Sequence, residues 1–179
     1  SLLPNASGGV VDDIIVYRLA VNEFRMVVNA ANHEKDVAWI RQHLPEGILM
    51  EDHTGHTAMI AVQGPKAAKI LAGLSDVPNE ILEAPMFGVV HGTIAGHPCF
   101  AARSGYTGED GYEVICTADH AEAVWNALAA AGVVPCGLGS RDTLRVEAGL
   151  PLYGHELSDD RSPIEAGLGW VIGKEKHFM

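Results

Sequence analysis

Residues 8–29, GGVVDDIIVYRLAVNEFRMVVN, hold two apolar runs separated by a short polar interval. The pattern predicts two strands, 10–18 and 24–29, joined by a turn around 21–23. The first run is nearly continuous in Val, Ile and Tyr, and near its start only Asp12 and Asp13 interrupt it. Successive strand residues face opposite sides of a sheet. Asp13 therefore shares a face with Val11, Ile15 and Tyr17, and Asp12 shares one with Val10, Ile14 and Val16. Both faces are apolar, so at least one carboxyl group sits among apolar neighbours, where an unpaired charge is costly. Either the chain supplies a partner or the charge is put to use. The plainer alternative is a strand end at 12–13 with both groups in water.

Downstream, strand and helix periods alternate. Asn32 stands where it can cap a helix over 33–44, in which Val37, Ile40 and Leu44 recur at helical spacing and Pro45 with Gly47 ends the element. TAMIAV, 57–62, reads as a strand. The turn Gln63-Gly64-Pro65 follows, and Pro65 suits the start of a helix over 66–74. Residues 75–85 form a polar connection with room for a helical turn. Two β-rich runs, 87–94 and 98–103, flank a hairpin turn at Ala95-Gly96-His97. A glycine-rich loop, 104–111, leads to a third strand, 112–116. Asp119 caps a helix over 121–131, packed through Ala123, Val124, Leu128 and Ala131. Residues 133–136 read as a short strand, Ser140 caps a helix over 141–148 with Leu144 and Ala148 inward, and 169–172 reads as a last strand. No regular βαβ repeat appears, so the fold class is α+β, with mixed or antiparallel sheets and packed helices.

Composition narrows the function classes. The 179 residues suffice for one good core, or a large domain with a smaller partner. Twelve Lys and Arg stand against 23 Asp and Glu, a net charge of -11. That sign is wrong for a phosphate backbone, and Lys174 with Lys176 is the only basic cluster, so nucleic acid is not an expected partner. No apolar run approaches the roughly 20 residues that span a bilayer, and no basic-then-apolar leader is present. Cys99, Cys116 and Cys136 are odd in number and lack CxxC spacing, which suits a reducing compartment and opposes a disulfide framework or a zinc site. The ends, SLLPNAS and GKEKHFM, suggest a piece of something longer.

Three stretches carry candidate chemistry. EDHTGH brings His53 and His56 beside Glu51 and Asp52, but no third or fourth ligand has helpful spacing, so a solvated loop is preferred to a metal site. RSGYTGEDGYEV, 103–114, has Gly105, Gly108 and Gly111, which permit sharp turns and close approach of backbone to another group. Within it Tyr106 offers a flat ring, and Glu109, Asp110 and Glu113 offer carboxyl groups. Glu113 shares a strand face with Ile115, and an inward carboxylate there can accept two parallel N–H donors from a flat heterocycle. A tight hairpin with its acids in water is the competing account. In GLGSRDTLRVEAGLPLYG, 137–154, Arg141 and Arg145 share a helical face, with Glu147 two residues on. Arg141 falls in the first turn, where the helix dipole disfavours a cation. Pairing with an acid or a ligand oxygen, or a core-edge ion pair, would account for it.

Together GGVVDDIIVY, VVNAAN with KDVAWI, AVQGP, SGYTGEDGYEV, GLGSRDTLRVEAGLPLYGHEL and IEAGLGWVIG resemble, in order and over nearly the whole chain, the glycine cleavage T-proteins. These are aminomethyltransferases that bind tetrahydrofolate. The resemblance implies that residues 1–179 are part of the folate-binding catalytic region, lacking the start of the N-terminal domain and the whole C-terminal β-domain. It implies transfer of an aminomethyl group from the lipoyl arm of the H-protein to tetrahydrofolate, with release of ammonia. Asp13 matches the family's catalytic carboxylate, the second Asp of GGxxDD. Such a group can stabilise a developing cation, orient the amine and accept a proton. Asn29 matches a folate-bonding asparagine, Tyr106 and Glu113 the pterin-contacting tyrosine and glutamate, and Arg141 the arginine of an (A/S)RD motif, here preceded by Ser140.

Related functions within the fold family are folate-dependent demethylases and a folate-binding protein of iron–sulfur assembly. The latter carries KGCYxGQ, whereas this chain has SGYTGEDG at the corresponding place. The demethylase reading is the alternative to the aminomethyltransferase one. The implied location is the bacterial cytoplasm or the mitochondrial matrix. The isolated piece is expected to expose apolar surface and to self-associate, and it can be folded yet inactive.

Overall fold

The computed structural model describes residues 1–173, so Lys174 and Lys176 lie outside the described residues. The chain forms two compact units, one of residues 1–51 with the segment from Pro151 onward, the other of Asp52–Leu150.

In the first unit the single strand expected over 10–18 is two strands. Leu2–Pro4 (β1) pairs antiparallel with Val10–Asp13 (β2), while Ile15–Ala20 (β3) pairs with Glu23–Val27 (β4). Ile14 separates β2 from β3, and its backbone N–H and C=O both bond to Ser1. The face shared by Asp13, Ile15 and Tyr17 therefore does not run on through one sheet. β1 is three residues long and ends in proline, too short to show alternation in sequence. Gly9 lies so close to the Asp159 carbonyl that a Cβ would come within 1.7 Å of its oxygen, and Val10 N–H bonds Ser158 O at 2.9 Å. The outer side of the β3–β4 hairpin leaves Val16, Phe24 and Met26 exposed.

The helix His33–His43 (α1) lies as expected, with Glu34 and Asp36 in the first turn where the dipole favours acids. Asn32 does not cap it through its side chain, because that amide is bonded to Asp12. Nor are Val37, Ile40 and Leu44 its deepest residues: Asp36 is the one fully buried.

The second unit is a four-stranded antiparallel sheet in the order β5-β8-β7-β6, made of Thr57–Gln63 (β5), Val89–Ile94 (β6), His97–Ala102 (β7) and Gly111–Thr117 (β8). Ala67–Leu74 (α2), Pro78–Glu83 (α3) and Ala121–Ala130 (α4) complete its core. α2 lies against β6 and β8, and α4 against β5. Val62, Leu71, Ile81, Tyr112, Val114 and Val124 are almost wholly excluded from water. Each apolar side chain so buried contributes about 1.5–3 kcal/mol. The β6–β7 turn is Ala95–Gly96, both at positive φ, the type I′ geometry that matches strand twist, and His97 already belongs to β7.

Several expectations need correction. Asp119 sits in a 3-10 turn and does not cap α4, whose Ala123 is exposed, as is Ala131 beyond its end; Val124 and Leu128 do the packing. Residues 133–136 form no strand: Pro135 has no N–H to give a ladder. The last helix, Leu138–Glu147 (α5), starts at the extended Gly137 and not at Ser140, and its buried residue is Arg145, with Leu144 partly exposed. The strand expected over 169–172 is instead a 3-10 turn, Gly169–Val171, closed by Val171 N–H to Leu168 O. The class stands as α+β, with every strand pair antiparallel among the described residues.

Candidate functional site

In the first unit the carboxyl groups of β2 meet the end of the following hairpin. Asp12 has no exposure at all and Asp13 is partly buried. Asn29, just past β4, donates its backbone N–H to Asp12 Oδ2 at 3.0 Å and its amide Nδ2 to Asp12 Oδ1 at 2.9 Å. The same Nδ2 lies 3.1 Å from Asp13 Oδ1 and 3.2 Å from Asp13 O. Asn32 Nδ2 adds a donor to Asp12 Oδ1 at 2.7 Å. Alternation predicts that the two acids serve separate surroundings; at the strand end one asparagine amide reaches both. Burial, then the negative charge of Asp12, raises the proton affinity of Asp13, and the bond from Asn29 opposes them. Such a group is a readier proton acceptor than a solvated aspartate.

Asp36, on α1, completes the cluster with zero exposure. Neither carboxyl oxygen receives a donor. Burial and the adjacent Asp12 push its pKa up to about 8. Its sequence signal was a charged residue four before Ile40, inside the expected apolar stripe. Nearby, Lys35 Nζ bonds Tyr153 and lies 3.3 Å from Asp159 Oδ2, with the Tyr153 ring beneath it at 4.0 Å.

In the second unit the glycine-rich loop is organised around Gln63, at the end of β5. Its Nε2 donates to Ser104 O at 3.0 Å and Tyr112 O at 3.1 Å. A Cβ on Gly105 would meet Gln63 Oε1 at 1.8 Å, and one on Gly111 would meet Gln63 Cδ at 2.5 Å. The group these glycines approach is thus the side chain of the QGP turn. Arg103 grips Asp110 with Nε to Oδ1 and Nη2 to Oδ2, both 2.8 Å, and donates Nη1 to Ala84 O at 2.6 Å. The fork holds the Asp110 carboxyl below its ordinary range, so Asp110 serves the loop itself.

The loop lays Tyr106 against α5. The Arg141 guanidinium stands over its ring at 4.7 Å from the centroid, which answers why a cation sits early in that helix. Arg145 differs: it is buried, bonded to Asp142 Oδ1 at 2.8 Å and to Leu150 O at 3.3 Å. Glu113 is partly buried on β8, on the face opposite core residues Tyr112 and Val114 and between Ala61 of β5 and Ala102 of β7 in register. Tyr106 and Arg141 are thus brought together in one unit, and Asp13 and Asn29 in the other.

Cys99 and Cys116 are register partners on β7 and β8, both free. His53 and His56 border a short 3-10 turn, and among the described residues no group of three or more His, Cys, Asp or Glu is placed to hold a metal ion. No described helix is long and apolar enough to cross a membrane.

The chain is 49% identical over 181 aligned residues to an aminomethyltransferase of Thermus thermophilus, covering all of this chain and 51% of that protein. It is 51% identical over 172 residues to one from Exiguobacterium sibiricum, covering 96% and 47%. Among solved structures, glycine cleavage system aminomethyltransferase T from Bartonella henselae superposes with a TM-score of 0.81 at 35% identity, covering 97% of this chain and 46% of that one. The chain spans about half the length of these relatives. The family model for the GCVT N-terminal domain matches residues 1–176. A match of that extent, with the GGVVDD strand, the Gln63-held loop and α5 all inside it, places the chain in the GCVT N-terminal domain family.

Proposed function

We propose that this chain is the folate-handling part of an aminomethyltransferase of the glycine cleavage system. The reaction moves a one-carbon unit from an aminomethyl group on a lipoylated carrier protein to tetrahydrofolate and releases ammonia. The observation that carries the reading is the pair Asp13 and Asn29: a partly buried carboxyl group, held by an amide at 3.1 Å and raised in proton affinity by burial. Relatives named aminomethyltransferase at about half identity support the same reading and do not favour a demethylase.

In this account Asp13 faces the positive charge that develops as the carbon–nitrogen bond breaks and the amine leaves as ammonia, and it takes up the proton that the attacking folate nitrogen gives up. A single fixed charge used in this way is worth about 10²–10³ in rate. Asn29 holds that carboxyl in place and offers a hydrogen bond to the folate. Glu113 accepts the paired N–H groups of a pterin edge. Its neighbours Ala61 and Ala102 are small, which suits a flat heterocycle beside it. Tyr106 offers a ring face that the Arg141 guanidinium stiffens. Tetrahydrofolate supplies the nucleophilic nitrogen. The chain is proposed to be one part of a longer protein, whose remainder completes the donor side.

Calorimetric titration of the 179-residue chain with tetrahydrofolate tests the reading. Saturable binding that weakens in Glu113→Gln is expected. Absence of binding heat, both here and in a protein extended to the length of its relatives, would overturn it.

A further inference from the structure

Asp36 takes no part in the reading above, yet it is wholly buried and neither of its carboxyl oxygens receives a hydrogen bond. The charged groups that face it are Asp12 and Asp13 from β2 and Lys35 from its own helix. Lys35 is engaged elsewhere, by Tyr153 and Asp159. A carboxylate enclosed in this way beside another acid would be strongly disfavoured, whereas a neutral carboxylic acid brings one O–H donor. The acceptor beside it is Asp12. Asp12 Oδ1 already takes two donors, from Asn29 and Asn32, and Oδ2 takes only the Asn29 backbone N–H, so Oδ2 keeps a lone pair.

We propose that Asp36 is a proton-bearing positioning residue: as a neutral acid it donates to Asp12, and through Asp12 and Asn29 it fixes the Asp13 carboxyl. The role of Asp13 rests on the function proposed above; the hydrogen-bond chain does not. The proton stays on Asp36 through neutral pH. When base removes it, two negative charges confront each other, Asp12 is pushed from its place, and the Asn29 amide, which bonds both Asp12 Oδ1 and Asp13 Oδ1, moves with it. Asp36 thereby sets an alkaline limit on the site without touching any ligand. Its pKa of about 8 puts that limit within an accessible range.

The test is carbon-13 and nitrogen-15 NMR of the whole chain across pH 5–10, for wild type, Asp36→Asn and Asp36→Leu. In wild type one aspartate carboxyl should titrate near pH 8, and the Asn29 side-chain amide should move with the same midpoint. Asp36→Asn keeps an uncharged N–H donor at the same place, so the Asn29 signal should hold its neutral-pH position with the alkaline step abolished. Asp36→Leu removes the donor and should displace the Asn29 amide already at neutral pH, shifting the Asp13 midpoint by about half a unit or more. A space-filling role would leave the wild-type and Asp36→Asn profiles alike. That result, or titration of Asp36 near pH 4 as for an ordinary aspartate, overturns the proposal even if Asp36→Leu fails to fold. Titration with tetrahydrofolate in parallel separates the claims. Coupled titration of Asp36 and Asn29 with no folate binding supports the hydrogen-bond chain and overturns the functional reading.

Discussion

Replacing Asp12 with alanine should be among the most damaging single changes in the first unit. The wild-type side chain accepts from Asn29 N, Asn29 Nδ2 and Asn32 Nδ2 at 3.0, 2.9 and 2.7 Å, with no exposure to water. Asn29 Nδ2 keeps Asp13 as a partner after the change. The other two donors lose the acceptor that these bonds provide, at about 1–3 kcal/mol each. Relief of repulsion toward Asp13 offsets part of this, leaving a net cost of about 3 kcal/mol, a large share of the roughly 5–15 kcal/mol that holds a typical domain. Asn32→Ala removes one bond and should cost about 1 kcal/mol. Since Asn32 has nothing to bond once Asp12 is gone, the double variant should fall short of additivity by about that same 1 kcal/mol. Urea unfolding followed by circular dichroism, with slopes compared across the four proteins, measures each figure. An Asp12→Ala variant within about half a kcal/mol of wild type, or strict additivity, would refute the assignment of Asp12 as the anchor of the Asn29 and Asn32 amides.

Stability should also vary with pH in a defined direction. The folded-state pKa of Asp36, about 8, lies above its ordinary 3.8, so its favourable contribution is complete below about pH 4, declines as pH rises, and is gone above about pH 8; the fall in melting temperature across that window should be much shallower in Asp36→Asn. Glu113→Gln should weaken tetrahydrofolate binding by about 1–3 kcal/mol on calorimetry, and Tyr106→Phe by less if the ring face is what matters; unchanged affinity in Glu113→Gln would remove it from the site. In a protein extended to the length of its relatives, Asp13→Asn should cut ammonia release about 10²–10³-fold while folate affinity holds, whereas Asp12→Asn should chiefly lower stability; the reverse pattern would reassign the catalytic carboxyl. Gly105→Ala should cost about 2 kcal/mol by driving Gln63 off Ser104 and Tyr112, and much less in a Gln63→Ala background; equal costs in both backgrounds would dissociate the glycine from Gln63.

Local pattern alone determined most elements of this protein. The β3–β4 hairpin, α1, the β5–α2 unit, the β6–β7 turn and β8 follow from alternation, helical spacing and turn residues, which act between near neighbours. The family motifs marked Asp13, Asn29, Tyr106, Glu113 and Arg141 as candidates. Tertiary structure decided what periodicity cannot encode. Strand pairing across distant segments broke 10–18 at Ile14, because β2 and β3 serve different sheets. Val133 and its neighbours found no partner strand and stayed irregular, since a strand exists only in a ladder. The meaning of each polar residue also waited on the fold. Asn32 has the makings of a cap until Asp12 arrives 2.7 Å from its amide. The three loop glycines suggest a ligand until Gln63 fills the space beside two of them. Asp36 belongs to an ordinary helix face until burial beside Asp12 leaves its proton as the way to avoid two facing charges. Whether a side chain caps, packs or titrates depends on groups brought close from far along the chain, and only the folded structure specifies those.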